Sequence, residues 1–265
     1  MILLKSCNII DSLEAETFND IETIKYFGND FWFLMNGSCG DLDSTMEAIC
    51  FIDYILNENK CKSICDVMCG NARHILGLYQ LDYDVSGIDI HNEILESVRQ
   101  SSIYDNKIKL ISADIREYCF VKKYDCITLL TSSIGYYGKN IDIKIFQLIY
   151  KYLNTDGVII IDIPNTNELL KSVKNRDWCK VESVYYLFSS KISLDNVKYT
   201  SMAVIDNTTE RKYFLKMQLY TANELCNILS EIGFENIRIY YDFNLHLTEE
   251  NQSRRIQIVA KKLRL

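Results

Sequence analysis

The segment SICDVMCGNARHILGLYQL, from Ser63 to Leu81, gives the strongest indication of the fold. It opens with a short apolar run typical of a buried strand, turns through Cys69 and Gly70, and continues with apolar residues at helical spacing. A strand, a tight turn and a helix in this order form the first unit of a parallel α/β sheet. Ligands bind such sheets at the carboxyl ends of the strands, and Gly70 lets the backbone approach a ligand closely because it has no Cβ.

Strand-like and helix-like segments alternate downstream of this turn. The strand-like runs are Ser63–Met68, Asp84–Ile90, Ile108–Asp114, Tyr124–Ser132 and Gly157–Asn165. Helical patterns fill gaps between them at Ala72–Gln80, Asn92–Ser101 and Asp142–Leu153. The last strand-like run is almost continuously apolar, as in a strand that is covered on both faces. This order predicts an α/β fold with a mostly parallel sheet and crossover helices.

The carboxyl-terminal part has a different pattern. Residues 180–219 contain alternating segments with no clear helix between them, which predicts a small antiparallel β extension. The segment TANELCNILSEIGF predicts a helix, because Thr221 and Glu224 can form a capping box and Gly233 can end it. Two final strand-like runs, residues 236–243 and 254–262, are joined by a polar loop and should pair antiparallel.

The amino-terminal part has a mostly helical pattern over residues 8–58, with a capped amphipathic helix after Asp43 or Ser44. The chain has one proline and no low-complexity tract, so no linker marks a domain boundary. We expect residues 1–60 to form a helical segment or lid and residues 61–265 to form the core. Within the core, residues 180–219 are expected to be an inserted β extension over the substrate site.

Composition limits the possible partners. A formal net charge of -7 argues against a nucleic-acid partner, since phosphate binding needs a basic surface. No apolar run is long enough to span a membrane and no signal peptide is recognisable, so a cytoplasmic location is expected. The ten cysteines are scattered, and the strand interpretation disperses Cys61, Cys65 and Cys69, so no metal site is predicted. The oligomeric state, monomer or homodimer, stays open.

The Gly70 turn lacks the usual phosphate-binding motifs. The next residues are Asn71 and Ala72, so the GxGxxG fingerprint of dinucleotide folds fails, and no Gly-Lys-Ser/Thr follows for a Walker loop. Asp89 ends the second strand 19 residues after Gly70, close to the roughly 20-residue offset at which an acidic residue meets a ribose. Asp114 ends the third strand, where an adenine amino group can donate to it. These positions favour a nucleoside-containing ligand without a phosphate on the turn.

These residues resemble the class I S-adenosylmethionine-dependent methyltransferases, in the small-molecule branch with a CGxGRH-like first motif. That motif stands here as DVMCGNARH, from Asp66 to His74. The resemblance continues through GIDI, ADIREY, YDCITLLTSSIGYYG, LNTDGVIIIDIPN, LYTANELCNILSEIGFENIRIYYDF and SRRIQIVAKK, and covers roughly residues 45–262. It implies a Rossmann-like sheet of seven strands in which the last strand is antiparallel. Ala72 departs from the family, which most often has glycine there.

The resemblance also implies a cofactor site for S-adenosylmethionine, with S-adenosylhomocysteine as the product. The methionine portion would meet Asp66, Cys69, Gly70, Asn71, Ala72 and Arg73, with Thr131 and Ser132 beside it. Asp89 and Ile90 would meet the ribose, and Asp114 and Ile115 the adenine. The aromatic residues Tyr26 and Trp32, within YFGNDFWFLMNG, are expected to form a lid over the cofactor. The alternative for this aromatic cluster is ordinary core packing.

Methyl transfer needs in-line approach of the acceptor, so a dedicated base is optional. The candidates for a base or an acceptor contact are His74, Tyr136, Tyr137 and His246. The alternatives are a structural or cap role for His74 and core packing for the tyrosines. His91 is interpreted as a residue of the ribose edge or of the surface. Arg254 and Arg255 can either form ion pairs within the domain or hold an acidic acceptor.

Three functions compete for this sequence. The leading hypothesis is methyl transfer to an O, N or C atom of a small molecule. It is favoured because the loop after the fourth strand lacks the Asn/Asp-Pro-Pro-aromatic motif of nucleic-acid amino methylation. The alternative is a non-catalytic protein that binds S-adenosylmethionine or S-adenosylhomocysteine. A nicotinamide oxidoreductase is disfavoured by the failed glycine fingerprint at Asn71 and Ala72.

Overall fold

The structure, a computed structural model, describes residues 18–38, 42–207, 209–247 and 253–263. The helices are α1 (Asp20–Tyr26), α2 (Asn29–Ser38), α3 (Leu42–Glu58), α4 (Arg73–Tyr79), α5 (Asn92–Arg99), α6 (Lys139–Tyr152), α7 (Thr166–Ser172) and α8 (Ala222–Ile232). The first five strands are β1 (Ser63–Val67), β2 (Asp84–Asp89), β3 (Lys109–Ser112), β4 (Tyr124–Leu129) and β5 (Leu153–Pro164). The others are β6 (Arg176–Val181), β7 (Val184–Ile192), β8 (Val197–Ile205), β9 (Glu210–Gln218), β10 (Glu235–Tyr241) and β11 (Arg255–Lys261).

The chain forms two compact units. The smaller comprises Met1–Asp41, Gly135–Gly138 and Leu169–Leu219, and the larger comprises Leu42–Ile134, Lys139–Glu168 and Tyr220–Leu265. Within the described residues, no helix has the length and apolar character needed to cross a bilayer.

The larger unit is built on a seven-stranded sheet in the order β10-β11-β5-β4-β1-β2-β3. Strand β11 is antiparallel to both of its neighbours, β5 and β10. The remaining pairings in the sheet are parallel. The predicted fold class, a Rossmann-like and mostly parallel sheet with an antiparallel last strand, is therefore confirmed. The carboxyl ends of β1 to β5 and of β10 lie on the same side of the sheet, at the ends of the strands, where β11 begins. We call this side the carboxyl edge.

Both faces of this sheet are covered by apolar side chains. Along β5, Ile159 and Ile161 belong to a cluster that includes residues of α6 and α8. Val158 and Ile160, on the opposite face, belong to a cluster that includes residues of α3 and α4. Alternate residues of a strand point to opposite faces, so a strand buried on both sides is apolar at nearly every position. The pattern that predicted β5 has this origin.

Helix α8 begins and ends where the capping signals place it. The Thr221 hydroxyl accepts a hydrogen bond from the Glu224 backbone N–H at 3.3 Å, and the Glu224 carboxylate accepts one from the Thr221 N–H at 2.8 Å. Gly233 follows the helix with a φ of 111°, in the left-handed region that glycine adopts readily. These local bonds satisfy backbone groups at both ends, which explains why sequence alone located this helix.

The smaller unit contains a four-stranded antiparallel sheet in the order β6-β7-β8-β9, which confirms the predicted β extension. The sheet begins at Arg176, before the expected start at residue 180. Strand β6 is an edge strand whose residues are mostly exposed, so it lacks the period-two apolar pattern that identified the other three. Helices α1 and α2 belong to the same unit, and Tyr26 and Leu34 share an apolar cluster with Tyr186 and Met202.

Several element boundaries differ from the sequence pattern. Helix α3 begins at Leu42 rather than after Asp43 or Ser44, and helix α6 begins at Lys139 rather than Asp142. Helix ends are commonly displaced by one or two residues from their sequence signals, as for α3, whereas α6 begins three residues early. The helical pattern had included Leu153 in the preceding helix. Strand β5 nevertheless begins at Leu153, because this residue already pairs with Tyr124 of β4. The predicted helical residues 8–17 lie outside the described residues.

The cysteines that share a four-residue spacing lie on different faces of the sheet. Cys65 belongs to the cluster on the α6 and α8 face, whereas Cys61 and Cys69 belong to the cluster on the α3 and α4 face. Burial raises the pKa of the Cys65 thiol above its usual value. Within the part of the chain that the structure describes, no group of three or more His, Cys, Asp or Glu residues could hold a metal ion.

Candidate functional site

The loop after β1 has an irregular backbone. Met68, Gly70 and Ala72 have φ values of 59°, 53° and 56°, so alternate residues are left-handed. Two of them are not glycine, although this conformation is strained for residues with a Cβ. The loop lies close to β2: a Cβ on Gly87 would be 2.7 Å from the Cys69 sulfur. A side chain at position 87 would therefore displace the Cys69 side chain, and a lone glycine within a strand pattern is the signal of this close approach in the sequence.

Asp89 connects this loop to the end of β2. Its Oδ2 accepts a hydrogen bond from the Gly70 N–H at 2.8 Å, and its Oδ1 accepts one from the His91 N–H at 2.9 Å. The residue is only 7% exposed. A carboxylate offers about four acceptor positions, so each oxygen retains capacity for a further donor. Two fixed acceptor oxygens suit a pair of vicinal hydroxyls such as those of a ribose.

Asp66 lies beside Asp89, inside β1. It is buried, and its Oδ1 accepts a hydrogen bond from the Thr128 hydroxyl at 2.7 Å. Burial raises the pKa of Asp66 to about 7, and the negative charge of Asp89 adds to the increase. The hydrogen bond from Thr128 and the positive charge of Arg73 oppose it. Asp66 therefore keeps its proton to a higher pH than an ordinary aspartate does, which its sequence position alone does not reveal.

Asp114 lies just beyond the end of β3 and is held by a nearby arginine. The Arg116 guanidinium donates to the Asp114 carboxylate at 3.0 Å from Nε and 2.6 Å from Nη2. The Arg116 backbone N–H donates to the same side chain at 2.9 Å. The side-chain bond to Arg116 lowers the pKa of Asp114. Its neighbour Ile115 is buried in the core.

The turn after β4 contains two consecutive left-handed residues. Thr131 and Ser132 have φ values of 55° and 64°. The Thr131 N–H donates to Asp162 Oδ2 at 2.8 Å, and the Ser132 N–H donates to the Asp162 carbonyl at 3.0 Å. The Thr131 hydroxyl accepts a hydrogen bond from Arg73 Nη2 at 3.3 Å. The structure thus connects Arg73, Thr131 and Ser132, three of the predicted site residues.

Asp162 was not singled out in the sequence. It is 1% exposed and forms an ion pair with Arg255 at 2.7 Å. Gln257 donates to its Oδ1 at 2.9 Å, directly across from it in the β5–β11 pairing. Of the two roles considered for Arg255, the structure therefore shows the ion pair within the domain. The signal in the sequence is a charged residue inside the apolar run GVIIIDIPN.

The histidines differ in their surroundings. His74 lies in the first turn of α4 and is buried, and burial lowers its pKa to about 3, with the charges of Arg73 and Arg255 contributing. His91 is buried too, and its Nδ1 lies 3.3 Å from Glu93 Oε1. His246 is exposed in the segment that follows β10. The catalytic roles expected for His74 and His246 stay predictions.

The aromatic candidates belong to the smaller unit. Tyr26 is buried, with its ring centroid 5.2 Å from that of Phe27. Tyr136 also packs against Phe27, with 4.9 Å between the ring centroids. Trp32 and Tyr137 are partly exposed. The contacts of Tyr26 and Tyr136 are those of a core cluster, and the lid role of Tyr26 and Trp32 stays a prediction.

Replacing Thr131 with glycine is expected to stabilise the fold. The left-handed conformation destabilises a residue with a Cβ by roughly 1–2 kcal/mol, and glycine removes this strain. Glycine also makes the unfolded chain more flexible, which offsets roughly 0.5–1 kcal/mol of the gain in stability. We therefore expect Thr131→Gly to raise the free energy of unfolding by about 0.5–1 kcal/mol in urea titrations. Thr131→Ala, which keeps the Cβ and loses the same hydroxyl, is expected to give no gain. An equal gain from both variants would contradict backbone strain as the cause.

Comparison with known proteins supplies an independent view of this chain. Residues 64–157 match the model of a methyltransferase domain family. A putative methyltransferase, YqeM of Bacillus subtilis (strain 168), is 23% identical over 213 residues, covering 75% of this chain and 83% of the relative. A glycine/sarcosine N-methyltransferase of Aphanothece halophytica is 23% identical over 218 residues, covering 78% of each chain.

Among solved structures, an S-adenosylmethionine-dependent methyltransferase from Clostridium acetobutylicum ATCC 824 superposes with a TM-score of 0.75 at 20% identity. The alignment covers 89% of this chain and 99% of that one. The chain therefore has the fold of the class I methyltransferases, and the domain match begins within β1 and ends within β5.

Proposed function

We propose that the protein transfers a methyl group from S-adenosylmethionine to an O, N or C atom of a small-molecule acceptor. The observation that carries the proposal is the arrangement at the carboxyl edge of the sheet. Asp89 there fixes the Gly70 loop and presents two acceptor oxygens at 7% exposure. An S-adenosyl group carries a ribose diol, an adenine amino group and an amino-acid tail. The residues at the ends of β1, β2 and β3 offer acceptors suited to these groups.

The individual residues would hold the cofactor as follows. Asp89 would accept from the ribose hydroxyls, and Asp114, oriented by Arg116, would accept from the adenine amino group. The Gly70 loop and Asp66 would face the amino-acid tail, whose ammonium group can donate to a carboxylate. Ala72 does not exclude this arrangement, since the residue already has the left-handed conformation for which the family uses glycine.

When bound, the cofactor would supply an electrophilic methyl group on a sulfonium, and S-adenosylhomocysteine would leave as the methyl passes to the acceptor. The chain would contribute mainly alignment of the acceptor and exclusion of water. Base catalysis by His74 would be weak, because a neutral imidazole with a pKa of about 3 has little tendency to take a proton near neutral pH. We therefore propose that the His74 side chain stays neutral and lines the site without taking a proton.

The acceptor class is the finer part of the proposal. An amine is favoured by the relative named glycine/sarcosine N-methyltransferase, which aligns with 78% of the chain. An amine deprotonated in solution needs no dedicated base, which agrees with the weak basicity of His74. Hydroxyl and carbon acceptors remain within the proposal because their transfer uses the same cofactor site.

The test combines binding with turnover. Calorimetry with S-adenosylmethionine and S-adenosylhomocysteine is expected to give dissociation constants in the micromolar range. These correspond to binding free energies on the order of -8 kcal/mol. Mass spectrometry should then detect S-adenosylhomocysteine formed only when an acceptor from a panel of amines, amino sugars, phenols and carboxylic acids is present. Binding without turnover on any member would support the non-catalytic alternative. Failure to bind either compound would overturn the proposed function.

A further inference from the structure

We propose that Asp162 is a positioning residue that shapes the Thr131–Ser132 turn to receive the amino-acid portion of S-adenosylmethionine. The inference rests on the proposed function and deepens it. Asp162 lies near the carboxyl end of β5, which β4 separates from β1, and was assigned no role by the resemblance. Its contacts reach the site through the turn rather than directly.

One residue holds both N–H groups of this turn. The Thr131 N–H donates to the Asp162 carboxylate at 2.8 Å, and the Ser132 N–H donates to the Asp162 carbonyl at 3.0 Å. Both turn residues are left-handed and neither is glycine. Such conformations persist only where the surroundings fix them, so these two bonds determine the path of the turn.

The Asp162 carboxylate is itself fixed by β11. Arg255 donates to it at 2.8 Å from Nε and 2.7 Å from Nη2, and Gln257 donates at 2.9 Å. The same Nη2 donates to the Ser132 hydroxyl at 2.9 Å. A carboxylate with donors on both oxygens cannot rotate without breaking several bonds. Strand β11 therefore sets the orientation of Asp162, and Asp162 sets the turn.

The turn is connected to the Gly70 side of the site. The Thr131 hydroxyl accepts from Arg73, which begins α4 immediately after Ala72. Asp114, at the predicted adenine end, instead accepts hydrogen bonds from Arg116. Disturbing Asp162 should therefore affect the amino-acid end of the cofactor and spare the adenosine end.

Effects at the two ends of the cofactor can be distinguished by comparing two ligands. S-adenosylhomocysteine contains the amino-acid portion, whereas 5′-methylthioadenosine keeps the adenosine and lacks it. We expect Asp162→Asn to weaken S-adenosylhomocysteine about tenfold in calorimetry and to change 5′-methylthioadenosine by less than about twofold. Both carboxylate oxygens accept hydrogen bonds, so the amide N–H of asparagine would face a donor and weaken the hold on Thr131, while the bond from the Ser132 N–H to the backbone carbonyl of residue 162 would remain.

Asp125→Asn is the matched control. Asp125 also accepts two consecutive backbone N–H groups, those of Lys62 and Ser63 at 3.0 Å each, but at the amino end of β4. We expect this variant to bind both ligands as the wild type does. Arg255→Lys is the conservative second variant, since lysine keeps the charge beside Asp162 but not the forked geometry. It should weaken S-adenosylhomocysteine about threefold.

The outcomes are distinguishable. Equal weakening of both ligands by Asp162→Asn, or no weakening of either, would overturn the positioning role while leaving the proposed function intact. If Asp162→Asn does not fold, the Arg255→Lys variant tests the positioning role instead. An Arg255→Lys protein with unchanged affinity for S-adenosylhomocysteine would overturn the proposal. A wild-type protein that binds neither ligand would overturn the proposed function and this inference together.

Discussion

Asp89→Ala is expected to weaken binding of S-adenosylhomocysteine by about 100-fold or more. Hydrogen bonds to a charged group contribute roughly 1.5–3 kcal/mol each, and about 1.4 kcal/mol corresponds to tenfold in affinity. The variant would lose both acceptors proposed for the ribose. It would also release the N–H groups of Gly70 and His91, which the carboxylate now holds at 2.8 and 2.9 Å. Isothermal titration calorimetry measures the change.

Asp84→Ala is the control on the same strand. Asp84 begins β2, and its half-exposed carboxylate pairs with Lys122. Exposed pairs of this kind contribute little, so the control should keep wild-type affinity. Circular dichroism would establish that both variants are folded. A folded Asp89→Ala protein with wild-type affinity would disprove the ribose assignment.

Asp66→Asn is expected to stabilise the protein at alkaline pH and to leave its stability nearly unchanged at pH 4. Burial raises the pKa of Asp66 to about 7 from an ordinary value of 3.8. Between these values the folded protein keeps a proton that the unfolded chain has lost, so stability falls as pH rises. The loss is complete above pH 7 and reaches at most about 4 kcal/mol, at 1.36 kcal/mol per unit. Asparagine carries no such penalty and can still accept from Thr128.

Urea unfolding of wild type and Asp66→Asn at pH 4, 6 and 8 measures this difference. Asp125→Asn is expected to change the stability at alkaline pH in the opposite direction. Burial alone would raise the pKa of Asp125, but hydrogen bonds from Ser63, Asn154 and Lys62 outweigh it and lower the pKa. That variant should lose stability at pH 8 and much less at low pH. A stability difference for Asp66→Asn that does not vary with pH would contradict the titration of Asp66.

Features with local signals could be predicted from the sequence. Helix α8 follows from Thr221, Glu224 and Gly233, which lie within its own length. Strand β5 could be predicted from its apolar run. The position of the site could be predicted because Gly70 lies in the loop after β1 and Asp89 ends β2, and ligands bind parallel sheets at the carboxyl ends of the strands. These residues act on neighbours close in the chain or through the sheet order alone.

Features that depend on distant contacts could not be predicted. Asp162 meets Gln257, 95 positions away, and nothing in either segment specifies this pairing. The pKa of Asp66 depends on burial between β2 and β4, which the sequence does not quantify. Strand β6 was missed because an exposed edge strand has no apolar periodicity. The catalytic roles of His74, Tyr136, Tyr137 and His246, which were assigned from the types of these side chains, stay predictions.

The position of β11 between β5 and β10 has a consequence for biosynthesis. Chains emerge from the ribosome amino end first, so β5 and β10 are both made before the strand that joins them. Until Arg255 emerges, the Asp162 carboxylate lacks its ion-pair partner, and the β5 edge remains open to water. The nascent protein can therefore complete its sheet and arrange the Thr131–Ser132 turn only after β11 has been made. A chain cut short before β11 would retain most of the sequence motifs without the anchored turn.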